Sequence, residues 1–223
     1  MQKFKYHTAL NISNLNSQSE KSCEFFEYNG NFCFKKDISN GDLDERFNVC
    51  DIFYSEPPWR YGYKIFEKRA GYNYKSDFRG FLKNIHKIIK AQNKPFFIVG
   101  GKQDYEIIFS DADFISNTEI AQHKTKCLCY IYNLNKEIFS KIDFSNNLTL
   151  IQSLAKNFHC IGDFCCGYGN TGIVFDSFKK NFVMSDADPK CIGYLQETLI
   201  DKKNAWICLF AFKCFRRGSK KSI

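Results

Sequence analysis

No Cys-x-x-Cys pair occurs among the eleven cysteines, and the four histidines, His7, His86, His123 and His159, are scattered along the 223-residue chain. A zinc site needs thiolates or imidazoles at short, convergent spacing, so no metal is expected. Eleven cysteines would suffice for a disulfide scaffold, but the number is odd and no hydrophobic signal segment opens the chain. Cys50, Cys127, Cys129 and Cys160 also sit inside apolar runs, so reduced thiols in a cytoplasmic protein are the expected state. No apolar stretch approaches the roughly 20 residues that span a bilayer, and a membrane partner is not expected. Acidic residues are missing from Lys202 to Ile223, where seven basic ones fall, so most of the net charge of +8 belongs to a tail. Such a tail attracts nucleic acid by displacing counterions from phosphates, or remains a solvated end with no partner.

The apolar fraction of 44% is ordinary for one domain with a full core. The 24 phenylalanines and 12 tyrosines suit a large buried sheet and leave aromatics available for stacking on bases. Residues 1–31, rich in Asn, Ser, Lys and Glu without periodicity, read as a flexible N-terminal arm, and residues 204–223 as a basic C-terminal tail. Phe32-Cys33-Phe34 reads as a short strand leading to Asp37.

Val49 to Tyr54 is a run rich in β-branched and aromatic residues, which predicts a buried strand ending in a rigid loop, Ser55-Glu56-Pro57-Pro58-Trp59. Each proline fixes its own φ and removes an N–H, so the nearby carbonyls are expected to face outward without competing donors. A carboxylate, a carbonyl and an indole then lie together at a strand's carboxyl edge, where open α/β sheets bind ligands. The set suits a flat ring bearing an amino group. Glu56 and the Pro57 carbonyl would accept the amine hydrogens while Trp59 stacks on the ring. An ordinary strand followed by a proline turn is the alternative.

Aromatics and cations interleave from Arg60 to Lys75. Arg60, Tyr61, Tyr63, Lys64, Lys68 and Arg69 are candidate nucleic-acid contacts, since bases stack on rings while cations hold phosphates. A surface loop whose aromatics fold back on the core is the other reading. Apolar spacing predicts a helix over Ser76–Ala91 with Ser76 as N-cap, then a strand from Pro95 to Val99. Strand, helix and strand imply a parallel pair with a right-handed crossover. Residues 102–124 carry no clear assignment, and Asp111-Ala112-Asp113 reads as the start of a turn. Lys126–Tyr132 reads as a strand and Leu148–Lys156 as a helix.

The apolar run Phe158–Cys166 ends in Asp163-Phe164-Cys165-Cys166-Gly167-Tyr168-Gly169-Asn170-Thr171-Gly172. Glycines here let the backbone turn sharply and approach a ligand, as in nucleotide-binding strand-to-helix turns. A second strand, Asn181–Ser185, leads to Asp186, which is placed to accept hydrogen bonds from ribose hydroxyls. Pro189 opens a further helix, Lys190–Ile200. Cys165 and Cys166 are expected to pack rather than react, because no base lies near them in sequence.

Together the two stretches resemble the permuted amino-group DNA methyltransferases, the adenine-N6 group in particular. That family places an Asp/Asn/Ser-Pro-Pro-Tyr/Phe/Trp motif before an S-adenosylmethionine motif, Asp-Pro-Phe-Cys-Gly-Ser-Gly-Thr-Thr-Gly. Asp163, Cys166, Gly167, Gly169, Thr171 and Gly172 match the latter in register, and Glu56-Pro57-Pro58-Trp59 resembles the former. The resemblance covers residues 32–203 and implies a Rossmann-like α/β fold: a mostly parallel seven-stranded sheet, helices on both faces, circularly permuted. It implies S-adenosylmethionine held by Asp163, Cys166, Gly167, Gly169, Asn170 and Asp186, with Asp37 near its adenine. It also implies Glu56, Pro57, Pro58 and Trp59 as catalytic residues and a flipped adenine in DNA as substrate. Cytosine N4, RNA adenine or a protein amide are alternative acceptors. Glu56, where the family has Asp, Asn or Ser, leaves open a non-catalytic partner that binds nucleic acid.

Overall fold

The computed structural model describes residues 22–60, 62, 63, 65, 68, 77–121 and 124–200. Most of the expected arm, the whole tail, and Tyr61, Lys64 and Arg69 lie outside the described residues. No helix among the described residues is long and apolar enough to cross a membrane.

The first element corrects the arm. Phe25–Tyr28 (β1) pairs antiparallel with Asn31–Lys35 (β2). Asn29 and Gly30 join them with φ of 51° and 75°, the positive values a two-residue hairpin turn needs. Asp44 then caps a 3-10 helix, Glu45–Val49, by accepting from the Arg46 N–H. The strand expected from Val49 therefore begins later, as Ile52–Ser55 (β3), and Val49 is exposed.

After β3 come Phe78–Ala91 (α1), Phe96–Gly100 (β4), Asp104–Ile108 (α2), Phe114–Ile120 (β5) and Thr125–Tyr132 (β6). Lys136–Phe139 (α3), Asn147–Asn157 (α4), Cys160–Asp163 (β7), Asn170–Ser177 (α5), Asn181–Asp186 (β8) and Pro189–Leu199 (α6) complete the described chain. Asp77 rather than Ser76 stands at the N-cap of α1. Residues 102–124, without an assignment from sequence, hold α2 and β5.

The described strands form one sheet in the order β1-β2-β8-β7-β3-β4-β6-β5. From β2 to β4 all neighbours are parallel, while β6 runs antiparallel to both β4 and β5. The sheet thus has eight strands where seven are expected, because the hairpin adds β1 at one edge. Helices cover both faces. One apolar cluster joins α4, α5 and α6 to the sheet, and the other joins α1 and Tyr105 of α2. On α1, Phe78, Phe81, Leu82, Ile85, Ile88 and Ile89 are buried, each worth about 2 kcal/mol of removed apolar surface. Phe53 of β3 stacks on Phe96 of β4 at 4.5 Å between ring centroids.

From β7 the chain crosses through α5 to β8 on one side; from β3 it crosses through α1 to β4 on the other. β7 and β3 are neighbours, so the crossovers diverge between them. In open α/β sheets a crevice forms at the carboxyl ends of such a strand pair.

Candidate active site

The loop after β3 leaves the sheet at that crevice. Tyr54 and Glu56 lie two residues apart on one face, and the Tyr54 hydroxyl donates to Glu56 Oε1. Asn147 Nδ2, from the first turn of α4, donates to the same oxygen at 2.8 Å. Burial pushes the Glu56 carboxyl above the ordinary glutamate range, and these two donors act against the rise. The Pro57 carbonyl is not left without a donor, contrary to expectation: the Tyr105 hydroxyl reaches it at 2.9 Å. Gly100 makes room for this, since a Cβ there would lie 2.0 Å from the Tyr105 ring. A carbonyl oxygen has two lone pairs, so one remains for a ligand. Trp59 is 38% exposed, beside Gly101.

Asp163 ends β7 and is 2% exposed. Its Oδ1 accepts from the Ser55 hydroxyl at 3.0 Å and the Cys165 N–H at 3.1 Å, and its Oδ2 from the Thr171 hydroxyl at 2.8 Å. One carboxylate therefore ties β3, the turn and α5 together. Burial pushes it up to about 7 despite those three bonds, with Glu56 adding to the rise. Asp163 shapes the turn from inside.

Within the turn, Gly167 and Gly169 have φ of 51° and 81°. A Cβ at Gly167 would meet nothing within 4 Å, whereas one at Gly169 would lie 2.4 Å from Leu195 Cδ1. Gly167 thus leaves an open approach for a ligand, and Gly169 lets the turn close on α6. Asp186, at the end of β8, accepts the Gly167 N–H at 2.9 Å and the Asp188 N–H at 2.9 Å. Cys166 is buried and its N–H donates to the Ser185 carbonyl at 3.0 Å. Burial raises both the Cys165 and Cys166 thiols well above the ordinary range, as inert packing residues require. Asn170 begins α5. Asp37 follows β2, next to β8 on the same sheet edge, and accepts from the backbone N–H and hydroxyl of Ser39 at 2.8 Å each.

The two motifs thus open on one edge, joined by the Ser55–Asp163 bond. The aromatic and basic stretch divides. Tyr63 is buried against Phe78 and Phe81, folding back on the core rather than offering a base-stacking face. Arg60 and Lys68 are exposed, and Arg60 lies 3.9 Å from Asp104. Tyr105 and Asn147, which fix the loop, have no local sequence signal. Ser55 adjoins the proline motif, and its hydroxyl could have been suspected from that position.

No protein-family model and no curated protein matches the chain. Solved structures similar to it include M1.HpyAVI, with a TM-score of 0.45 and 12% identity over 75% of this chain and 97% of that one. M1.HpyAVI in complex with SAM aligns at a TM-score of 0.45 and 11% identity, over 75% and 98%. TTHA0409 from Thermus thermophilus, a proposed DNA modification methylase, aligns at 0.48 and 12%, over 77% and 95%. The functional reading rests on the strand order and on the contacts of the two loops.

Proposed function

We propose that the protein transfers a methyl group from S-adenosylmethionine to the exocyclic amino group of a nucleobase, adenine N6 in DNA. The observation that carries this reading is the pairing of β3 with β7, which sets a rigid acidic loop beside an open glycine turn at the divergence of the crossovers. The residues present fit the donor. Gly167 leaves its backbone open to approach, since a Cβ there would meet nothing within 4 Å, and Asp186 stands at the next strand end, where ribose hydroxyls are accepted. When bound, S-adenosylmethionine supplies an electrophilic sulfonium methyl.

The chain's own residues do the rest by positioning and electrostatics. Trp59 holds the face of a base taken out of its stack, since the amino group cannot be reached inside a duplex. Glu56 and the second lone pair of the Pro57 carbonyl accept the amine hydrogens, which localises the nitrogen lone pair for attack. Arg60 and Lys68 offer charge to the adjoining phosphates.

A second reading, a non-catalytic domain that grips nucleic acid for an active partner, draws support from Glu56 Oε1 and the Pro57 carbonyl already having protein donors. A nucleoside digest of DNA incubated with purified protein and labelled donor separates the two. Methylated adenosine is expected, and its loss in Trp59→Ala by a factor of about a hundred, with folding intact, supports the stacking role. Donor and DNA binding without any methylated nucleoside, in DNA or RNA, overturns the catalytic reading.

A further inference from the structure

Glu56 is one methylene longer than the Asp or Asn of the resembled family's motif, and that length has a use here. Its Oε1 is reached by two donors from different elements, the Tyr54 hydroxyl of β3 and the Asn147 amide of α4. The Asn147 side chain is itself fixed at both ends. Its Oδ1 accepts the Ala121 N–H at 3.0 Å just after β5, so its Nδ2 is the group that faces the carboxylate. Asn147 is buried, and Tyr54 is fully buried in the core. Oε2 of Glu56 accepts no hydrogen bond from the described residues and is not among their buried, unpartnered polar atoms.

We propose that Asn147, together with Tyr54, is a positioning residue that clamps Glu56 through Oε1 and so presents Oε2 as the acceptor for the substrate amine. This rests on the methyl-transfer reading above. Two donors on one oxygen remove the rotational freedom that a glutamate side chain otherwise keeps, and the remaining oxygen acquires one direction. An aspartate at the same position stops a methylene short of both donors. It would leave a buried hydroxyl and a buried amide hydrogen without their acceptor. Glutamate and the Tyr54–Asn147 pair therefore form one unit.

The clamp also works against the rise that burial imposes on the Glu56 carboxyl. Glu56 is hydrogen-bonded by Tyr54 from β3 and Asn147 from α4, and its charge is felt by Asp163 from β7, Cys127 and Cys129 from β6, and Tyr105 from α2. Only Tyr54 and Asn147 among them give Glu56 a hydrogen bond, and both favour its anion. Removing either donor lets burial raise the carboxyl further, so the ionised acceptor is lost at a higher pH.

The test uses the full chain with ¹³C-carboxyl glutamate. Glu56 is assigned by the resonance lost in Glu56→Gln, and its titration is followed without donor or nucleic acid. Asn147→Asp keeps an acceptor for Ala121 and suits a helix's first turn, but replaces a donor with a charge. Its titration midpoint is expected to rise by about one pH unit or more. Tyr54→Phe should move it the same way, and the acid limb of the pH–rate profile should follow while the KM for the methyl donor holds. Glu56→Asp is expected to lower methyl transfer by about tenfold or more. An unmoved midpoint in both folded variants, or a gain of activity in Glu56→Asp, overturns the clamp. An inactive wild type with a shifted midpoint overturns methyl transfer instead and leaves the clamp standing.

Discussion

The turn after β7 takes most of its shape from partners close in sequence, whereas the loop after β3 is held largely from far along the chain. Asp163 is joined to residues two and eight positions on, and Gly167 to Asp186 nineteen on, with the Ser55 hydroxyl the one distant side-chain partner of Asp163 among the described residues. Pro57 and Glu56 are joined to Tyr105 and Asn147, forty-eight and ninety-one residues away. The glycine turn is thus largely a local device built from glycines and two carboxylates. The proline loop depends for its anchors on α2 and α4 being packed on the sheet.

The largest expected effect separates packing from ligand approach within the local device. Gly169→Ala combines a left-handed φ with a Cβ forced against Leu195, and about 4 kcal/mol or more of stability should be lost. Gly167→Ala shares the left-handed φ but points its methyl into open space, so about 1 kcal/mol is expected. Donor affinity should fall in Gly167→Ala even so. Urea unfolding with calorimetric titration of S-adenosylmethionine reads both quantities. Equal destabilisation in the two variants would erase the difference between a packing glycine and an approach glycine.

Asp163 gives the next largest effect, and it depends on pH. Its folded-state value of about 7 lies above the ordinary aspartate value, so the folded protein holds this proton more tightly than the unfolded chain. Its contribution is therefore full at low pH and is lost as pH rises from the ordinary aspartate value through 7. About 3 kcal/mol is at stake, because each pKa unit is worth about 1.4 kcal/mol and relaxation around the charge recovers part of it. Asp163→Asn keeps an acceptor for Ser55 and Cys165, and Thr171 can reverse its hydroxyl. Stability in this variant should change far less between pH 5 and pH 8, with Glu56 supplying the remaining slope in the same direction. A slope as steep as that of the parent protein would place the titration elsewhere.

The same contrast explains which features can be read from the sequence. The glycine turn, Asp186 and the helix opened by Pro189 are legible because each depends on backbone preferences of a few adjacent residues. The proline loop is legible as a rigid acidic corner, but not its anchors, since nothing near Tyr105 or Asn147 marks them as partners of positions 57 and 56. The missed hairpin is different in kind. Asn29-Gly30 between Phe25–Tyr28 and Asn31–Lys35 is a strong local turn signal, and the polar composition around it masks it. Tyr63 shows the limit of composition from the other side. The pattern of rings and cations is real, yet Phe78 and Phe81 of α1 take this ring into the core.

The smallest effect probes the long-range side alone. Tyr105→Phe keeps the ring among Phe78, Phe109 and Tyr130 and removes only the hydroxyl that reaches the Pro57 carbonyl. About 1 kcal/mol of stability should be lost, the usual net worth of one buried hydrogen bond. Two prolines restrict the loop's φ angles but do not anchor it to the sheet, so Trp59 should gain mobility once this anchor is gone. Fluorescence anisotropy of Trp59, in a Trp206→Phe background, should fall in Tyr105→Phe and hold in Gly167→Ala. Unchanged anisotropy would mean that the proline pair fixes the loop unaided, and that both sides of the crevice are local devices after all.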